Sequence, residues 1–101
     1  MVEIRQTALY SKWFDGLRDR AARVRILNRI RRLSLGNSGD TKSVGGGVSE
    51  LRIDYGPGYR IYYVLREHTL IVLLAGGDKS TQNRDIKAAI KLSDALKLEQ
   101  P

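Results

Sequence analysis

A chain of 101 residues with 18 Lys and Arg against 11 Asp and Glu, net charge +7, has room for one hydrophobic core and carries a field that draws polyanions. Its 42% hydrophobic and 29% charged residues exclude a disordered tail or a fibrous repeat, and the absence of cysteine excludes disulfides, thiolate catalysis and cysteine-ligated zinc. No apolar run nears the roughly 20 residues that cross a bilayer and no secretion signal opens the chain, so a cytoplasmic protein without a membrane partner is expected.

Residues 2–6 read as a short strand, after which Thr7 can cap a helix with Leu9, Trp13 and Leu17 on one stripe. Residues 20–35 repeat the helical period through Ala22, Ile26, Ile30 and Leu33, with Gly36 as the stop, and the two helices make a hairpin. The opposite side of the second helix carries Arg25, Arg29 and Arg32, a basic ridge that suits a phosphate backbone or an acidic partner as well as plain solvent. Residues 36–47, rich in Gly, Ser, Asn and Asp, read as a long mobile loop. Residues 48–55 and 59–66 alternate in polarity on either side of Gly56, Pro57 and Gly58, which predicts a β-hairpin. Glu67 and His68 turn the chain into the apolar residues 70–75, a strand covered on both faces that is expected to break at Gly76 and Gly77. From Ser80 or Thr81 a last helix sets Ile86, Ala89, Ile90, Ser93 and Leu96 on one stripe. The expected fold is α+β, in the order β-α-α-β-β-β-α, a mainly antiparallel four-stranded sheet in a single domain over residues 1–101.

The hairpin must keep Leu51 and Ile53 on the face of Ile61 or Tyr63, which leaves two registers: Arg52 opposite Arg60, or Asp54 opposite Arg60 with Arg52 opposite Tyr62. Either gathers Glu50, Arg52, Arg60 and Tyr62 on one polar patch, with Lys79 at the rim; an Asp54–Arg60 ion pair is the structural alternative to an anion site. On RNA such a set needs no external nucleophile, since the ribose 2′-hydroxyl attacks the neighbouring phosphorus. The arginines would hold the phosphate, Glu50 could take a proton, and Lys79 or a tyrosine could serve the leaving oxygen. Tyr62, beside the arginines, is the candidate for base stacking. His68, the one histidine, falls in a surface turn, and neither it nor the scattered carboxylates has metal-ligand spacing. The Gly45-Gly46-Gly47 run lacks the residues of a nucleotide loop.

The segments Val48-Ser-Glu-Leu-Arg-Ile-Asp-Tyr-Gly-Pro-Gly-Tyr-Arg-Ile-Tyr-Tyr and Leu73-Leu-Ala-Gly-Gly-Asp-Lys-Ser-Thr-Gln-Asn-Arg-Asp-Ile resemble the HigB-like branch of the RelE/ParE toxin superfamily, in a match that covers nearly the whole chain. The resemblance implies a RelE-like fold and the toxin of a type II toxin–antitoxin pair, a metal-independent endoribonuclease that cuts mRNA on the ribosome without a small-molecule cofactor. It implies a cognate antitoxin, of helix-turn-helix type, as partner. It carries over to Arg60 of the GYR segment, to Arg52 and to Lys79; the tyrosine of some members early in the last helix has no counterpart here, where Arg84 and Asp85 stand, and Arg84 joins the ridge as a candidate RNA contact. A ParE-like gyrase inhibitor and a non-catalytic nucleic-acid-binding module are the alternatives. Arg60→Ala is expected to abolish toxicity and to change stability by no more than about 1 kcal/mol, as for a surface substitution.

Overall fold

The computed structural model describes residues 2–98. One five-stranded sheet, in the order β1-β5-β4-β3-β2, divides the protein: β1 (Glu3–Gln6), β2 (Thr41–Gly45), β3 (Val48–Ile53), β4 (Tyr59–Arg66) and β5 (Leu70–Gly77). Helices α1 (Ala8–Asp15) and α2 (Arg20–Ser34) cover one face, and α3 (Gln82–Leu98), entered through a 3-10 turn at Lys79–Thr81, covers the other. All pairings are antiparallel except β1 with β5, where Glu3 lies beside Leu70 and Gln6 beside Leu73.

Alternation along the strands feeds two cores. Leu51, Ile53, Ile61, Tyr63, Ile71 and Leu73 pack with Tyr10 of α1 and with Ala22, Ile26, Ile30 and Leu33 of α2, whereas Val48, Tyr62, Val64, Val72 and Leu74 pack with Ala89 and the α3 stripe. Thr7 caps α1 as its sequence indicates, its hydroxyl accepting from the Tyr10 amide at 3.1 Å and donating to the Leu74 carbonyl at 2.8 Å. Tyr10 is buried on α1, with Trp13, Phe14 and, just past the helix, Leu17 partly buried beside it; Leu9, expected on the same stripe, is 48% exposed, because the helix turns its aromatic side to the sheet.

Three further expectations are corrected. Residues 36–47 are not one loop: Thr41–Gly45 forms the edge strand β2, joined to β3 by a tight turn in which Gly46 and Gly47 have φ of 61° and 78°. Glycine meets that left-handed requirement without strain, and the triple glycine is thereby explained as turn chemistry. Nor does β5 break at Gly76: it runs on to Gly77, pairing Ile61 with Gly76 and Arg60 with Gly77. The glycines are there for closeness, since a Cβ at Gly76 would overlap the Trp13 ring and one at Gly77 the Asp85 carboxylate. The helical segment that follows starts at Lys79, ahead of the expected Ser80 or Thr81, and Asp78 caps it, accepting from the Ser80 amide at 2.8 Å.

Candidate functional site

The hairpin adopts the register that sets Arg52 opposite Arg60 and Glu50 opposite Tyr62, so all four side chains share the face that α3 covers. Glu50 and Tyr62 lie under the helix and are fully buried. Arg52 and Arg60 lie nearer the Gly56–Gly58 end of the strands, where the cover ends, and the Lys79 stem crosses that end so closely that a Cβ on Gly58 would meet it at 2.9 Å. The three cations line one cleft of about 220 Å³ together with Asp40, Asp54 and Gly58. Lys79 also borders a second hollow of about 410 Å³ formed by Ser80, Thr81, Gln82, Asn83 and Arg84.

Glu50 organises the buried side of this cleft. Its Oε1 accepts from Arg52 Nε at 2.8 Å, with Arg60 Nε 3.9 Å away, and its Oε2 accepts from the Tyr62 hydroxyl at 3.0 Å and from Gln82 Nε2 at 2.8 Å. Burial pushes the Glu50 carboxyl up, but the hydrogen bonds from Arg52, Gln82 and Tyr62 outweigh it and hold the group below its ordinary range. Burial, then the charge of Glu50, raises the Tyr62 phenol far above its usual value. The hydrogen bond to Glu50 raises Arg52. Arg60, 8% exposed, donates through Nη1 to the carbonyls of Gly58 and Tyr59 at 3.2 and 3.1 Å, while its Nε is buried with no hydrogen-bond partner among the described residues. Facing arginines on adjacent strands repel. One shared carboxylate set back beneath them relieves part of that charge, and Asp40 and Asp54 on the cleft wall offset more of it.

The alternative Asp54–Arg60 pair does not form among the described residues; Arg60 faces Glu50 instead, since the observed register carries Asp54 past the end of the pairing. Tyr62 is not a stacking surface, because α3 seals its ring and its hydroxyl donates a hydrogen bond to Glu50. The premise of the Arg60→Ala expectation is also corrected: at 8% exposure Arg60 is not a surface residue, and a cost above that of a surface substitution is expected. The basic ridge divides. Arg29 donates to the carbonyls of Arg52 at 2.6 Å and of Ser38 and Asp40 at 3.3 Å each, tying α2 to the start of β2, so it is a structural clamp and not a free RNA contact. Arg25 lies over the Tyr55 ring at 4.5 Å and Arg32 is exposed; both border a hollow with Asn28, Arg29, Ile53 and Asp54. Arg84, its side chain 78% exposed, stands on the first turn of α3 with Asp85 at 3.7 Å. His68 is exposed in its turn, as expected. Gln82 and Asp40 were not singled out in the sequence; the Gly-Gly-Asp-Lys-Ser-Thr-Gln segment contains the first, but nothing in its spacing says that its amide reaches a strand 32 residues away.

Residues 12–97 match the family described as Phage derived protein Gp49-like (DUF891), and the chain belongs to that family, a toxin–antitoxin-related one of the RelE/HigB type. An uncharacterized protein of Haemophilus influenzae is 46% identical over 97 residues, which span 96% of this chain and 98% of that protein. Membership implies an antitoxin partner. The five-stranded α+β architecture is consistent with a RelE-like fold.

Proposed function

We propose that this protein is the toxin of a type II toxin–antitoxin pair and acts as a ribosome-dependent endoribonuclease on mRNA, with Arg52, Arg60 and Lys79 at the phosphate to be cut. The observation that carries the reading is the convergence of these three cations on one cleft whose nearest buried carboxylate is already engaged beneath them. In the reaction the 2′-oxygen bonds to phosphorus, the bond from phosphorus to the 5′-oxygen breaks, one proton leaves the 2′-hydroxyl and one reaches the leaving oxygen. The arginines stabilise charge on the phosphoryl oxygens and the Lys79 ammonium serves the leaving oxygen. Glu50, with both oxygens occupied and its carboxyl held low, suits holding the arginines better than taking a proton. The exposed carboxylates on the cleft wall, Asp40 and Asp54, are available for the proton. Tyr62 supports Glu50, and Arg25, Arg32 and Arg84 lend outlying positive charge for the RNA backbone. The charge stabilisation this reaction needs comes from side chains, and the mechanism asks nothing of a metal.

Induced expression of the wild type, Lys79→Ala, Arg52→Ala and Arg60→Lys in bacteria, with growth followed and mRNA 5′ ends mapped, tests this. Arrest with new ends inside translated codons, lost in the variants, is expected. Arrest without such ends overturns the ribonuclease reading in favour of gyrase inhibition, and the absence of arrest reduces the protein to a binding module. Lys79 is exposed, so its variant reads function without a change of fold.

A further inference from the structure

The two oxygens of Glu50 answer to different parts of the protein. Oε1 faces the arginines, while Oε2 is held by Tyr62 from β4 and by Gln82, the first residue of α3. A carboxylate is planar, so fixing Oε2 fixes Oε1. The terminal torsion of a glutamate is otherwise broad, and a carboxylate free to turn takes its Arg52 partner with it. Gln82 is the residue through which α3 grips this network, three positions after Lys79 has crossed the cleft.

We infer that Gln82 is a positioning residue: by holding Glu50 Oε2 from the start of α3, it sets the plane of the carboxylate that aims the Arg52 guanidinium into the cleft, and so couples the seating of α3 to the anion site. The inference deepens the reading of the cleft as a phosphate site and rests on it. The charged and titratable groups around Glu50 are Arg52 on its own strand, Arg60 and Tyr62 on β4, Lys42 opposite it on β2 with an exposed side chain, and Asp85 on α3, which acts on Tyr62. Amid them a neutral donor has one advantage. An amide orients the carboxylate and leaves its full charge to the arginines, whereas a lysine at this position would neutralise it and a glutamate would compete for the same cations.

Gln82→Met keeps the length of the side chain and removes the donor, and Gln82→Ala, a good helix former, gives a second variant if the first fails to fold. Each is compared with the wild type in thermal unfolding, in the nitrogen–proton NMR signal of Arg52 Nε during titration with inorganic phosphate, and in the pH profile of mRNA cleavage on programmed ribosomes. The expected result is a folded variant whose Arg52 signal loses its protection and whose phosphate affinity and cleavage fall by about tenfold or more, the worth of a hydrogen bond to a charged group. The acid limb of cleavage moves to higher pH, since Glu50 has lost a donor. A folded variant with an unchanged Arg52 signal and unchanged phosphate affinity overturns the inference. If the wild type binds phosphate but leaves ribosomal mRNA intact, the ribonuclease reading fails by itself, and the Arg52 signal still decides the role of Gln82.

Discussion

Replacing Tyr62 by Phe removes one oxygen from a place that solvent does not reach. The hydroxyl donates to Glu50 Oε2 at 3.0 Å beneath α3, and hydrogen bonds to charged groups contribute about 1.5–3 kcal/mol. Glu50 keeps Arg52 and Gln82, each at 2.8 Å, so its charge is not left bare, and the expected cost lies at the lower end, about 1.5–2 kcal/mol. For a domain of this size each kcal/mol moves Tm by about 4–8 °C, well within reach of urea or thermal unfolding at neutral pH. The sign of the pH effect follows from Glu50, whose carboxyl is lower when folded than its ordinary value of 4.5: its stabilisation is complete above that value and is lost as the pH falls through the lower folded one. Loss of a donor brings the folded value closer to 4.5, so acid unfolding of the variant begins at higher pH. Growth arrest is expected to weaken without being lost, because Gln82 still holds Glu50 Oε2 and the phenol does not touch RNA. A variant as stable as the wild type that no longer arrests growth would refute this reasoning and return Tyr62 to the chemistry.

Ser93 is fully buried on α3 and its hydroxyl has no partner among the described residues, so Ser93→Ala is expected to raise stability by about 1 kcal/mol in denaturant unfolding. Gly77→Ala drives a methyl into the Asp85 carboxylate and is expected to cost about 1–3 kcal/mol, with arrest weakened as the start of α3 shifts under Lys79; unfolding curves and growth assays check both. Arg29→Met takes the guanidinium away from the Arg52, Ser38 and Asp40 carbonyls, the last of which keeps the Arg52 amide, and is expected to lower stability by about 1–3 kcal/mol without changing the salt dependence of RNA binding. Arg25→Met and Arg32→Met are expected to do the reverse, each reducing that salt slope by about one in filter-binding or fluorescence titrations.

Periodicity alone located most of the fold, because α2, β3, β4, β5 and α3 each bury a regular set of apolar positions. The edge strand β2 escaped it for the opposite reason: Thr41–Gly45 is largely exposed, buries no alternating set, and is held by pairing to β3 and by the Gly46–Gly47 turn. The register that sets Arg52 opposite Arg60 was one of two that the apolar pattern allowed, and the pattern could not choose between them. It also could not show that the polar face of the hairpin is roofed by α3, which turns Glu50 and Tyr62 from surface groups into buried ones. Gln82 and Arg29 act across 32 and 23 residues through single hydrogen bonds, a kind of contact that leaves no local pattern in a sequence.

The parallel pairing of β1 with β5 has a kinetic side. Glu3 cannot find Leu70, nor Gln6 find Leu73, until nearly three quarters of the chain exists, and such distant pairings raise contact order and slow folding. The roof over Glu50 is later still, since α3 follows β5 in the chain. A growing polypeptide therefore displays Arg52 and Arg60 before Glu50 is roofed, and a product truncated ahead of Gln82 keeps every residue that lines the cleft, and all but one of the net positive charges, without the amide that holds Glu50 Oε2.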